Sequence, residues 1–138
     1  MSKLTKQTSL RNAIKLEPVL NRDKIIEIQQ AINDIPVNDH VIDFAVKLVR
    51  ATRPNEEGSF DFVKDKITWG AGPRASQYLV IAAKTRAILH GRLTPAVEDV
   101  IAVSDIVLRH RVLISYSAES DGLKSTDLVK EIIKKVQP

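Results

Sequence analysis

The sequence predicts an all-α fold: a helical bundle of about five helices with little or no strand. Three observations carry this prediction. Every long segment repeats its apolar residues at spacings of three and four, the period of a helix packed along one side. Asn21, Asn38, Thr94 and Ser125 stand just before such segments, where a side-chain oxygen can accept from the free amides of a first turn. Pro36, Pro54 and Gly91 stand where such segments end, as residues that cannot continue a helix or that take the left-handed turn closing one.

Composition narrows the class. A chain of 138 residues with 43% hydrophobic residues is one domain by the usual prior, large enough to bury a core without staples. There is no cysteine, which excludes a disulfide framework, a thiolate metal site and a cysteine nucleophile. Aromatics at 4% disfavour broad stacking surfaces for single-stranded nucleic acid. The net charge of +4 permits anionic partners without requiring them, because Lys and Arg are interspersed with acids. No apolar run approaches the ~18 residues of a membrane span, and the N-terminus lacks a signal-peptide core, so a cytoplasmic protein without a membrane partner is expected.

In chain order, residues 1–16 are read as an arm or mobile tail, carrying Lys3, Lys6, Arg11 and Lys15, and residues 17–138 as the helical domain. A first helix is expected from about Arg22 to Asn33, with Ile25, Ile28, Ile32 and Ile35 along one face and Pro36 as its stop. A second is expected from about Asp39 to Thr52, its stripe being Val41, Phe44, Ala45, Leu48 and Val49. Residues 53–69 read as a long connection whose Phe60, Phe62, Ile67 and Trp69 pack back on the helices or form short extended pieces.

The central helix is expected from Pro73 to His90, ended by Gly91. Proline suits a first helical position, which needs no amide donor and a φ already helical. Tyr78, Ile81, Ala82, Thr85 and Leu89 make one apolar stripe, and Val80, Ala83 and Ala87 a second of smaller residues, so this helix is expected to be surrounded by others. Thr94 and Pro95 then start a helix with Val97, Val100, Ile101, Ser104, Val107 and Leu108 inward, and Glu98 and Asp99 in its first turns. Residues 115–123 read as a polar loop. A last helix runs from about Thr126 to Val136 with Leu128, Val129, Ile132, Ile133 and Val136 inward.

Candidate chemistry is sparse. Gly70-Ala71-Gly72-Pro73-Arg74-Ala75 matches the letters of a dinucleotide fingerprint, but that fingerprint has meaning only inside a βαβ unit, and here another capped helix follows. His40, His90 and His110 show no ligand spacing, so no metal site is expected. No G-x-x-x-x-G-K-[ST] loop and no Ser/His/Asp arrangement is present. Arg109-His110-Arg111 reads as a basic helix end, and the apolar run 112–114 as core or a docking site for an adaptor. Arg74 stands out: it is a cation at a helix start, where free amides and a guanidinium together suit a phosphate.

The order of these motifs resembles the C-terminal lid region of MoxR-family AAA+ ATPases. The matching pieces are Gly70-Ala71-Gly72-Pro73-Arg74-Ala75, Gly91-Arg92, Thr94-Pro95 with Glu98-Asp99-Val100, and Leu108-Arg109-His110-Arg111. Val49-Arg50-Ala51-Thr52-Arg53 and Pro36-Val37 extend the resemblance to roughly residues 17–137. It implies a helical lid that packs on an α/β ATPase core, with Arg74 as the sensor 2 residue reaching the γ-phosphate of ATP held on the core of the same chain. Gly72 and Pro73 would shape the nucleotide-facing turn beside it. The family often has serine where this chain has Gly72, so the turn is kept and a cap is lost.

The Walker motifs and sensor 1 are not in this sequence, and the chain reads as a C-terminal fragment whose Met1 is either native or an artificial start. ATP and Mg2+ are the cofactors implied for the parent protein, with none expected in this chain alone. The implied partners are its own AAA+ core, neighbouring subunits in an oligomer, and von Willebrand A-domain proteins. The implied role is chaperone-like assembly or remodelling of protein clients. The competing reading is a free-standing basic helical module for nucleic acid, supported by the pI of about 9.4 but lacking a concentrated basic recognition helix.

Overall fold

The computed structural model describes residues 17–137, so the expected arm at residues 1–16 lies outside the described residues. The chain divides into two units, Met1–Gln30 and Ala31–Pro138. Helix α1, Arg22–Asn33, crosses that division. Its start is the expected one, with the Lys24 amide donating to Asn21 Oδ1 at 2.8 Å. Its isoleucine stripe is not a core face, since no residue of the helix is buried.

The larger unit holds α2 (Asp39–Ala51), α3 (Asp61–Lys66), β1 (Ile67–Trp69), α4 (Arg74–Leu89), α5 (Val97–Leu108), β2 (Leu113–Ile114), α6 (Tyr116–Ser120) and α7 (Ser125–Val136). The fold is all-α in character, with seven helices among the described residues: the five expected long ones and two short ones. The two short helices and the strands fall where connections were expected. Residues 53–69 contain α3 and β1, and residues 115–123 contain α6. Strands β1 and β2 form one antiparallel pair, Ile67 opposite Ile114 and Trp69 opposite Leu113, with an irregularity between. Ser115 continues the tie by donating its amide to Lys66 O at 2.8 Å and capping α6 through its side chain.

Helix α4 packs against α2 and α5, and α7 closes the other side of α2 and α5. The core is aliphatic: Val41, Ala45 and Leu48 of α2, Leu79 and Ala83 of α4, Val100 and Leu108 of α5, and Val129 and Ile132 of α7 are fully buried. All five inward residues expected on α7 are buried. On α4 the expectation holds for Ala83 and Ala87 of the small-residue stripe and fails for the larger one. The buried line is Ala75, Leu79, Ala83 and Ala87 at a spacing of four, while Tyr78, Ile81 and Leu89 lie on the exposed side. Three alanines let α5 approach the α4 backbone closely, so the small residues, not the large ones, mark the packed face.

Three helix starts differ from expectation. Asn38 stands at the start of α2, but its side chain caps nothing. Helix α5 begins at Val97, not at Pro95, because the Asp99 carboxylate accepts from the Ala96 amide at 2.9 Å and caps the helix itself. Helix α7 begins at Ser125, whose hydroxyl donates to Arg109 O at 2.9 Å instead of capping. The Lys124 amide donates to Asp127 Oδ2 at 3.1 Å, the reaching-back half of a capping box.

Candidate functional site

The site is the turn that feeds α4, and it is fixed by the end of α2. Thr52, fully buried, donates its hydroxyl to Val49 O at 2.7 Å and accepts the Ala71 amide at 2.9 Å. Arg53 Nε donates to Ala71 O at 3.0 Å, so both backbone groups of Ala71 are held. Gly70 lies against the same segment: a Cβ there would meet Thr52 O at 2.4 Å and Arg53 Cα at 2.7 Å. Glycine is therefore required by close approach, which the sequence alone presents only as a turn residue.

Beyond Ala71 the chain turns outward. Pro73 has φ −57° and ψ −34°, already helical, and α4 proper begins at Arg74. The Ala75 amide donates to Gly72 O at 2.9 Å and the Ser76 amide to Pro73 O at 3.1 Å, which closes the first turn. Gly72, Pro73 and Arg74 are all exposed. Among the described residues no carboxylate pairs with the Arg74 guanidinium. Gly72 has open space around a virtual Cβ, so a serine would fit without displacement.

At the other end of α4 the arginines are used differently. Asp99, completely buried, receives Arg86 Nη1 on Oδ1 at 2.6 Å, Arg92 Nη2 on Oδ1 and Arg92 Nη1 on Oδ2, each at 2.6 Å. With the Ala96 amide this gives the carboxylate four donors. The hydrogen bonds from Arg92 outweigh the burial penalty and, with those from Ala96 and Arg86, hold the Asp99 carboxyl well below the usual carboxylate range. Gly91, at φ +70°, turns the chain so that Arg92 reaches back to α5.

The remaining expected residues take structural places. His90 Nδ1–H donates to Arg86 O at 2.9 Å in the last turn of α4. Arg111 donates to Val107 O at 2.5 Å and lies 5.0 Å over the Tyr78 ring, which makes Arg109-His110-Arg111 a helix end tied to α4. Of the 112–114 run, Val112 is buried and Ile114 half-buried, leaving only Leu113 exposed. Phe60 and Phe62 stack at 5.7 Å and pack on the core, as expected of them, but Trp69 is 71% exposed. Among the described residues no group of three His, Asp or Glu is placed to hold a metal ion.

Sequence reading missed Thr52, Asp99 and Trp69. The only signal for Thr52 was its place between two arginines at a helix end, and its partner lies nineteen residues on.

The AAA lid domain family matches residues 61–132. This chain belongs to that family. Its relatives place it with the MoxR type: chaperone MoxR1 of Mycobacterium tuberculosis is 30% identical over 118 residues, covering 86% of this chain and 31% of that protein. YeaC of Bacillus subtilis, an uncharacterized protein, is 26% identical over 122 residues, covering 88% of this chain and 35% of its own length. A crystal structure of a "putative ATPase" from Cytophaga hutchinsonii superposes with a TM-score of 0.81 at 25% identity, covering 97% of this chain and 41% of the other. The MoxR-type lid domain thus spans about a third of the length of the curated relatives it matches.

Proposed function

We propose that this MoxR-type lid works on an α/β AAA+ core in a cytoplasmic, oligomeric ATPase that assembles or remodels protein clients, and that Arg74 is its sensor 2 residue. The observation that carries the reading is the contrast between a clamped backbone and an unspent side chain. The turn is held at Thr52, Arg53 and Gly70, while the Arg74 guanidinium projects from the helix start without a carboxylate partner among the described residues. A planar fork of donors on a rigid mount is suited to meet phosphate oxygens and to stabilise charge that develops during phosphoryl transfer. Gly72 and Pro73 shape the approach by keeping bulk and a competing amide away from it.

The residues fit a contact to the phosphate end of ATP. They do not fit Mg2+, because among the described residues no carboxylate cluster is available for it, so the metal's ligands would come from the core. Lid movement with nucleotide state would reach neighbouring subunits, and a von Willebrand A-domain partner, as rigid-body rotation.

The test is Arg74→Ala in the full-length protein. ATP turnover is expected to fall roughly 10²- to 10³-fold, the cost of removing one donor aimed at developing charge. Turnover and nucleotide affinity at wild-type levels would show that the assignment is wrong.

A further inference from the structure

Between α2, residues 56–60 and the end of α7 lies a cavity of about 470 Å³, within the range of small-ligand pockets. No residue of the Arg74 turn lines it. Val46, Phe60 and Val136 give it an apolar wall, and Lys47, Arg50 and Ser59 contribute donors. The segment that closes it is fixed on α2. Glu56 accepts from Arg50 at 2.7 Å and from Arg53 at 3.4 Å, and the Ser59 amide donates to Glu56 O at 3.1 Å. Gly58, at φ +77°, makes the turn between Glu56 and Ser59.

Ser59 is the exception among the buried hydroxyls. The residue is 9% exposed, and its Oγ, hidden from solvent, makes no hydrogen bond among the described residues. A buried hydroxyl without a partner destabilises the fold, and buried polar groups are as a rule satisfied. Thr52 and Ser104 follow that rule, donating to Val49 O at 2.7 Å and to Ile101 O at 2.6 Å. A serine needs only one turn between staggered χ1 wells to offer its hydroxyl to a new acceptor.

The cations of the same lining are only partly used. Lys47 makes no ion pair among the described residues. Arg50 gives its Nε to Glu56, and neither of its Nη atoms makes a hydrogen bond among the described residues. The two stand three residues apart on α2 and so share a face. Asp43 and Glu57, both exposed, complete the border and oppose a second negative charge. The lining therefore suits one carboxylate on an apolar body, not a chain of phosphates.

We infer that this cavity binds an aliphatic monocarboxylate. Lys47 and Arg50 meet its charge, the Ser59 hydroxyl donates to one of its oxygens, and its hydrocarbon lies on Val46, Phe60 and Val136. Such a group comes from a free organic acid or from the C-terminal residue of a polypeptide.

The experiment titrates the isotope-labelled 138-residue chain with isocaproate, N-acetyl-leucine, leucinamide and inorganic tripolyphosphate, following the Lys47, Gly58 and Ser59 amide signals by NMR. Isocaproate stands for the free acid and N-acetyl-leucine for the chain end. At least one of the two is expected to shift the signals saturably, with a dissociation constant on the order of 1 mM, and the tighter one identifies the source. No saturable shift with either up to about 20 mM overturns the site. An equal response to leucinamide, which lacks the carboxylate, or to tripolyphosphate, which lacks the hydrocarbon, overturns it as well.

Ser59→Ala is expected to weaken the acid about threefold to tenfold, the worth of one hydrogen bond, while raising the melting temperature of the unliganded chain. A hydroxyl that served only the fold would do the reverse, so unchanged affinity or a lowered melt in this variant overturns the inference. Lys47→Gln, an exposed change that leaves the fold alone, is expected to weaken the acid by a similar factor, about threefold to tenfold. Affinity unchanged in Lys47→Gln likewise overturns it.

Discussion

The two ends of α4 use arginine in opposite ways. At the C-terminal end Arg86 and Arg92 converge on a buried carboxylate, and every oxygen of Asp99 is occupied. At the N-terminal end the backbone is held by Thr52 and Arg53, and Arg74 has no carboxylate partner among the described residues. A side chain committed to a buried partner stabilises the fold and has nothing left to offer a ligand. A side chain held only through its backbone adds little to stability and remains available. The difference separates arginines committed to the fold from one left available for the proposed sensor role.

Substitutions at the two ends sharpen that contrast. The largest effect on stability is expected at Asp99. Asp99→Ala leaves two guanidiniums facing each other over a void, at a cost of about 3 kcal/mol, less than for a fully buried pair because both arginines are partly solvated. A thermal melt should fall by roughly 10 °C. A shift under 2 °C (about 0.5 kcal/mol) would mean that the cluster is decoration.

Next comes Gly70→Ala. Its added Cβ overlaps Thr52 O, and the segment must move, so a loss of about 2 kcal/mol is expected in a urea titration. Gly72→Ala is the matched control, with open space at the same turn and an expected change within about 0.5 kcal/mol. Thr52→Val keeps the shape but strands the buried Ala71 amide, at about 1.5 kcal/mol.

The Asp99 cluster also sets a pH dependence. Its folded pKa is depressed, so its contribution is present above the unfolded value of about 3.9 and is lost as pH falls through the folded pKa. The stability gap between the wild type and Asp99→Asn is therefore expected to be full at pH 6 (~2 units above the unfolded pKa) and to narrow steadily below about pH 4. A gap independent of pH would mean that the carboxylate is not the group that matters. The smallest expected effect on stability is that of Arg74→Ala, within about 0.5 kcal/mol, and it is the one variant here expected to remove turnover without touching the fold.

The long helices were legible because a 3.6-residue period survives in sequence whatever the partners are. On α7, Leu128, Val129, Ile132, Ile133 and Val136 could be placed from spacing alone. On α4 spacing was not enough. With apolar residues on several sides, the buried line was decided by which side α5 approaches, and alanine, not tyrosine or isoleucine, permits that approach.

The site was legible in half. Arg74 was marked by its position after Pro73, a local feature. Thr52 and Asp99 were not, because each is defined by a partner elsewhere: Ala71 for one, and Arg86 and Arg92 across a helix end for the other. Trp69 was read as packing because size and hydrophobicity favour burial; it lies outward where the β1–β2 pairing is irregular between Ile67, which is buried, and Trp69.

The fastening of Ala71 has a mechanical consequence. Helix α4 has 16 residues, about 24 Å of rod, with Thr52 holding the turn before its first residue and Asp99 gripping Arg86 near its last. A rod seated at both ends does not bend or slip when one end is pulled. It carries the load whole. A load taken up at Arg74 in the proposed sensor role would therefore pass to α2 through one seat and to α5 through the other.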